Sequence, residues 1–277
     1  MTFLKALPFA ALVLAPSALL AERVVSIGGS VTEIVYALGE GDRLVARDTT
    51  STFPVEAEAL PDVGYVRQLS PEGVLSVAPD LILTEAGAGP IETMDLLRDA
   101  AIPMVEVAEG YTPEAVALKI ATVADALGVP EKGADLAASV QAEIDAARAA
   151  IGSERPRVLF VLSLASGRVM AAGADTSAEA IIELAGGVNA LDGYEGYKQI
   201  SDEAVMAAAP DVVLMMDREG DHAAANADLM AHPAFAATPA AQNERIIRMD
   251  GLLLLGFGPR LGEAVSQLAA DLHPGEG

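Results

Sequence analysis

The chain reads as an α/β protein of two Rossmann-like lobes with central parallel sheets, joined by a long helical linker, and three observations predict this. Short apolar runs of strand character alternate with amphipathic helical patterns in both halves of the sequence. Between the halves, residues 112–153 are rich in Ala, Glu, Lys and Leu at helical spacing and carry no strand signal. A segment of the first half, residues 70–83, also returns in the second half as residues 201–214, at a constant offset of 131 residues.

The chain opens with Lys5 and an apolar run over residues 6–20 that stops at Ala21, ahead of the charged pair Glu22 and Arg23. A positive residue, an apolar stretch and a small final residue are the parts of a secretory signal peptide, so residues 1–21 are expected to be removed on export, with cleavage after Ala21. Leu19, third before the cut, is bulkier than the small residue usual there. The run is about fifteen residues long, short of the roughly 20 that a membrane span needs, and no second run of that length follows. With no cysteine there is neither a disulfide nor a thiol for lipid attachment, and the mature protein is expected to be free in the periplasm.

In the first lobe, residues 22–111, strands are expected at 23–27, 44–46, 81–84 and 104–107, alternating with helices at 31–38, 71–77 and 91–100. The linker, residues 112–153, should form one or two helices broken near Gly128 and Pro130, because proline removes a donor and its predecessor avoids helical angles. In the second lobe, residues 154–277, the same grammar gives strands at 158–162, 212–216 and 246–249 and helices at 178–185, 202–208 and 260–272. Each copy of the repeat starts with a serine suited to cap a helix, Ser70 or Ser201, carries an acid two residues later, Glu72 or Glu203, and ends at Ala before Pro-Asp opens a buried strand.

Acidic residues number 40 against 17 basic ones, a net charge of −23, which argues against nucleic acid and anionic membrane surfaces as partners. Most of this charge serves solubility, so the few cations carry the information. No Gly-x-Ser-x-Gly elbow and no zincin helix is present, and an enzyme is not expected. His222, His232 and His273 are the only histidines, a poor set for a transition-metal site. Gly28-Gly29 lacks the dinucleotide fingerprint and a Walker lysine, so these glycines are read as letting the backbone turn tightly or approach a ligand. Met170 and Met206 are read as core.

Three stretches then carry a resemblance: residues 23–39, with Ser-Ile-Gly-Gly-Ser-Val-Thr-Glu; residues 60–73, with Val-Gly-Tyr-Val-Arg-Gln-Leu-Ser-Pro-Glu-Gly; and Leu-Leu-Gly-Phe-Gly at 254–258, which suggests an apolar wall. Together they resemble the periplasmic haem-binding proteins of bacterial haem ABC importers, in the same order over essentially the whole mature chain. The resemblance implies the class III periplasmic binding protein type, in which a long backbone helix joins two lobes, the ligand lies between them and closure is small. It implies haem b, as ferric hemin, as the transported ligand. One scaffold hosts several ligand chemistries, so a siderophore or a corrinoid of the vitamin B12 kind is the alternative.

On spacing alone Tyr65 is a loop aromatic ahead of a helix; the resemblance makes it the haem iron ligand, and a phenolate oxygen suits Fe(III). By the same resemblance Arg67 steadies the phenolate. Haem propionates need local cations, for which Arg67, Arg47, Lys198 and Arg168 are the candidates; Lys198 is the repeat equivalent of Arg67. Tyr197 is a candidate for the opposite haem face. A histidine that some relatives carry within Ser-His-Gly-Gly is absent, the corresponding stretch being Ser-Leu-Ala-Ser-Gly-Arg at 163–168, so a second protein ligand and a stacked two-haem arrangement on that side are not implied. Glu72 and Glu203 match a pair of surface acids that dock on permease arginines, or else serve only as capping partners of Ser70 and Ser201. The partners implied are haem, an ABC permease dimer with its ATPase and, upstream, an outer-membrane haem receptor system; the protein itself is expected to be a monomer.

Overall fold

The computed structural model describes residues 23–217 and 226–274, so the signal peptide expected at 1–21 and His222 lie outside the described residues. The first lobe runs β1 (Val24–Ile27), α1 (Gly29–Ala37), β2 (Leu44–Arg47), α2 (Pro71–Leu75), β3 (Leu81–Glu85), α3 (Ile91–Asp99) and β4 (Met104–Val107). Its four strands pair in the order β2-β1-β3-β4, all parallel. Every residue of β1 and the first four of β3 are buried, since helices cover both faces of the sheet; this is why these strands read as unbroken apolar runs.

The linker forms two helices, α4 (Pro113–Leu127) and α5 (Pro130–Ala149). Gly128, at φ 74°, closes α4 by donating to the carbonyls of Ala124 and Asp125, and Pro130 opens α5 where a missing N–H costs nothing. The 20 residues of α5 span about 30 Å. It packs along α4, which leans on α1 and β4, and along the last helix of the second lobe, residues 261–272, so one helix grips both lobes.

The second lobe comprises β5 (Arg157–Ala165), β6 (Arg168–Ala172), α6 (Ser177–Leu184), β7 (Val188–Asn189), β8 (Tyr197–Ile200), α7 (Asp202–Ala208), β9 (Val212–Asp217), α8 (Asn226–Ala231), α9 (Pro233–Ala236), α10 (Pro239–Gln242), β10 (Ile246–Asp250), α11 (Gly251–Leu255) and α12 (Leu261–Leu272). The strand order is β10-β9-β5-β6-β8, with β7 alongside β5. Here the sheet is mixed where a parallel one was expected: β10, β9 and β5 are parallel, but β6 returns antiparallel to β5, and β8 pairs antiparallel with β6. The cause is Ser166-Gly167, both at positive φ (52° and 70°), a two-residue turn whose twist suits a hairpin. The stretch at 163–168 is therefore this hairpin.

The repeat folds as a repeat. The hydroxyls of Ser70 and Ser201 accept from the backbone N–H of Gly73 and Ala204, and a left-handed alanine, Ala78 at φ 46° beyond α2 and Ala209 at φ 42° at the end of α7, precedes the Pro-Asp that enters β3 and β9. The largest apolar cluster draws on both lobes and the linker, among others Val24, Ile34 and Leu83 with Ile120, Ile144, Phe160, Leu214 and Leu268. Two smaller clusters lie one in each lobe.

Candidate ligand cleft

A cavity of about 630 Å³, within the roughly 300–1,000 Å³ of small-molecule sites, is lined by both lobes. Its walls come from the carboxyl ends of the parallel strands, where open α/β sheets place ligands. The first lobe supplies Gly29 and Ser30 after β1, Thr49, Thr50 and Thr52 after β2, Glu85 and Ala86 at the end of β3, and Glu109 after β4; the second supplies Met216 and Asp217 at the end of β9 and Gly251, Leu252 and Leu255 of α11.

The loop after β2 is shaped by Asp48, which is fully buried and which the sequence reading passed over. Its Oδ1 accepts from Gly28 N–H (2.9 Å) and Ser51 Oγ (2.7 Å), and its Oδ2 from Thr50 N–H (3.0 Å) and Thr50 Oγ1 (2.7 Å). Gly29 N–H reaches Thr50 Oγ1 at 3.1 Å, while Ser51, Thr32 and Ser26 continue a hydroxyl chain inward at 2.6 Å per step. A buried carboxylate with all its lone pairs used holds the loop rigidly. The two glycines follow from this crowding. Gly28 has φ 111° and a Cβ there would lie 2.5 Å from Glu85 Oε2; a Cβ on Gly29 would lie 2.5 Å from Leu252 Cδ1 and 2.7 Å from the Thr50 carbonyl oxygen.

Tyr65 and Arg67 flank Val66, which is buried in the first-lobe core, and both side chains line the cavity. Tyr65 is 47% exposed, and its carbonyl accepts from Gln68 N–H at 2.7 Å. The loop is pinned to the β3–α3 connection by Gly89 N–H to the Val66 carbonyl and Leu69 N–H to the Gly89 carbonyl, each 2.9 Å. Arg67 Nη1 donates to the Gly87 carbonyl at 2.9 Å, so its planar head is parked on backbone beside the cavity.

The other candidates lie elsewhere. Tyr197 stands behind Ser177, a lining residue, with its Oη 3.2 Å from Ser177 Oγ and its ring edge-on to Phe160 at 6.2 Å; burial raises its phenol above the ordinary value. Lys198 packs over the Tyr194 ring instead, 5.3 Å from its centroid. Residues 197–200 form a strand, in which neighbours face opposite ways, whereas 64–68 form a loop, so the repeat does not carry Lys198 to the position of Arg67. Arg47 donates to the Asp48 carbonyl (3.0 Å) and lies 3.7 Å from Asp62 Oδ2, while Arg168 is exposed beside the hairpin turn; neither lines the cavity. Met206 is exposed, not core, and Met170 is half-buried. Glu72 and Glu203 are exposed in the first turns of α2 and α7, one in each lobe; hydrogen bonds with its own backbone and with Ser201 lower the Glu203 carboxyl.

Charged groups that sequence reasoning missed also line the cavity: Glu85, Glu109, Lys119, Asp217 and Asp250. Glu85 is pushed up to about 7 by burial and by Asp48, against the opposing pull of Arg67 and Lys119. Lys119, on α4, is 6% exposed and donates to the Phe257 carbonyl of the second lobe at 3.3 Å. Phe257 also packs edge-on against Tyr111 at 5.4 Å, so the predicted apolar wall is clasped from the first lobe. His232 caps α9, accepting from Ala234 N–H at 3.2 Å, and His273 is buried near the Ala185 carbonyl. Among the described residues no three His, Cys, Asp or Glu side chains converge to hold a metal ion.

Two α/β lobes gripped by a helical pair, with a small-molecule cleft at the strand ends, define a solute-binding protein. The chain belongs to the periplasmic binding protein family, whose model matches residues 24–252. Among solved structures it is similar to the periplasmic heme-binding protein BhuT in complex with two hemes, at 43% identity and a TM-score of 0.86 over 90% of this chain and 97% of that one. It is likewise similar to the periplasmic heme-binding protein RhuT from Roseiflexus sp. RS-1, at 40% identity and a TM-score of 0.88 over 93% and 100%. The vitamin B12-binding protein of Yersinia pseudotuberculosis serotype O:1b (strain IP 31758) is 31% identical over 219 residues, 76% of each chain.

Proposed function

We propose that this protein captures ferric haem between its lobes in the periplasm and delivers it to an inner-membrane ABC permease dimer driven by an ATPase. The observation that carries the reading is Tyr65, half exposed on the cavity wall with Arg67 two residues on, in a chain so similar to two heme-binding proteins. In this reading Tyr65 supplies the iron ligand: its oxygen is a hard anionic donor once the metal displaces its proton. Arg67, on the same wall, would steady that oxygen by charge. Tyr197 and Ser177 supply polar groups on the second-lobe side. Lobes at 22–111 and 154–277, a linker at 112–153 and an unanchored mature chain beginning at residue 22 belong to the same proposal, supported by the two sheets and the absence of cysteine. Glu72 and Glu203, exposed on equivalent helices of the two lobes, are proposed to meet the permease.

The test is a visible-spectrum titration with ferric hemin. Wild type should give a saturable spectrum of tyrosinate type that Tyr65→Ala loses; no saturable change in wild type would sink the haem reading. The likeness to a vitamin B12-binding protein favours a corrinoid as the second reading, to be tried in the same titration.

A further inference from the structure

The inward stripe of α4 is apolar at Val116, Ile120, Val123 and Leu127, all fully buried, yet Lys119 stands in the same stripe and is itself buried. An ammonium group has three donors to satisfy, and among the described residues Lys119 has one hydrogen bond, the 3.3 Å contact with the Phe257 carbonyl. Among the described residues no carboxylate is ion-paired with it. Glu85 and Glu109 act on it only through the longer-range field, which opposes the downward push of burial on the ammonium. Burying a cation without a partner costs stability that a leucine or methionine here would not. Packing therefore does not account for Lys119. Its position does: it lines the cavity at its base, whereas Arg67 is exposed.

We propose that Lys119 receives a carboxylate of the ligand at the floor of the cleft, so that the site selects ligands carrying an ionised acid arm. This rests on the haem reading, in which the arm is a propionate, and it adds a residue that the sequence comparison with haem-binding proteins did not single out. The incoming carboxylate supplies the charge and hydrogen-bond acceptor that the fold withholds from Lys119.

The experiment titrates full-length mature protein with ferric hemin and, in the same detergent, with its dimethyl ester, for wild type, Lys119→Met and Lys119→Arg. Wild type should prefer the diacid by about ten- to a hundredfold, the value of one charge-assisted hydrogen bond. Lys119→Met should bind hemin and ester alike, at the wild-type affinity for the ester, while Lys119→Arg keeps a preference for the diacid. Melting of Lys119→Met at or above the wild-type temperature would show that the fold is intact and that the buried charge was unpaired. Retention of the wild-type preference in Lys119→Met would overturn the assignment and leave the haem reading standing. A wild type that binds neither compound would remove the haem reading and this assignment together.

Discussion

Arg260, just ahead of α12 in the second lobe, donates through both Nε (3.1 Å) and Nη2 to the carboxylate oxygen Oε1 of Glu33 in α1 of the first lobe. Glu33 is 5% exposed, and the guanidinium carbon of Arg260 also lies 3.6 Å from the Phe53 ring centroid. Removing one partner of such a pair strands the other charge. Arg260→Ala is expected to lose about 3–5 kcal/mol in urea denaturation, and Glu33→Gln with Arg260→Met to recover much of it. Burial raises the Glu33 carboxyl and Arg260 opposes that rise. A raised carboxyl favours the fold below the ordinary carboxylate range, and that advantage is lost as pH rises through the folded value. The deficit of Arg260→Ala should therefore be smaller near about pH 5 than near about pH 8; an equal deficit at both would remove Glu33 from the account.

Glu85 gives a second pH dependence. Its folded value of about 7 stands above the ordinary carboxylate value of 4.5, set by burial and Asp48 against Arg67 and Lys119, with Glu109 adding to the rise. The unfolded chain releases this proton first, so stability should fall as pH climbs between those two values and level off above them. Glu85→Gln should flatten the curve across that window and gain about 1–3 kcal/mol near about pH 8. Chemical denaturation at closely spaced pH values reads this directly, and parallel curves for the two proteins would refute it.

Gly29→Ala inserts a methyl where Leu252 of one lobe and the Thr50 carbonyl of the other already touch the hydrogen. Overpacking of this sort costs about 1–3 kcal/mol. Because the strain falls on the cleft wall, ligand affinity should drop along with the melting temperature. A variant that melts lower yet binds hemin as wild type does would show that the wall can yield without cost to the site.

If Glu72 and Glu203 meet a two-fold permease, Glu72→Lys or Glu203→Lys should slow haem uptake several-fold and the double reversal should abolish it, by like-charge repulsion at the contact. Hemin titrations of all three should match wild type, since neither acid lines the cavity. Full uptake by the double variant would leave the acids as capping groups only.

Much of this fold is written in local patterns. The strands at 81–84 and 212–216 are legible because Pro-Asp ends one element and an apolar run starts the next, and the linker break because Gly128 and Pro130 each act on their own backbone. The antiparallel return of β6 is less legible, because it rests on the single dipeptide Ser166-Gly167, whose positive φ values make the hairpin turn. Tyr65 and Arg67 could be singled out because they sit in one short motif. Asp48 and Lys119 could not: the roles of both depend on contacts distant in sequence, Gly28 for the one and Phe257 for the other, and no spacing along the chain encodes such meetings.

The apolar cluster that passes from β1 through α4 and α5 into β5, β9 and α12 has a bearing on how cargo leaves. Each lobe has a smaller cluster of its own, but the largest is shared, so a wide gape would tear that one open and an open state is costly. Entry is then a matter of diffusion into a standing slot, not of a trap snapping shut. In the proposed delivery role, departure would then be worked from outside, by a docked partner that pulls on both lobes at once.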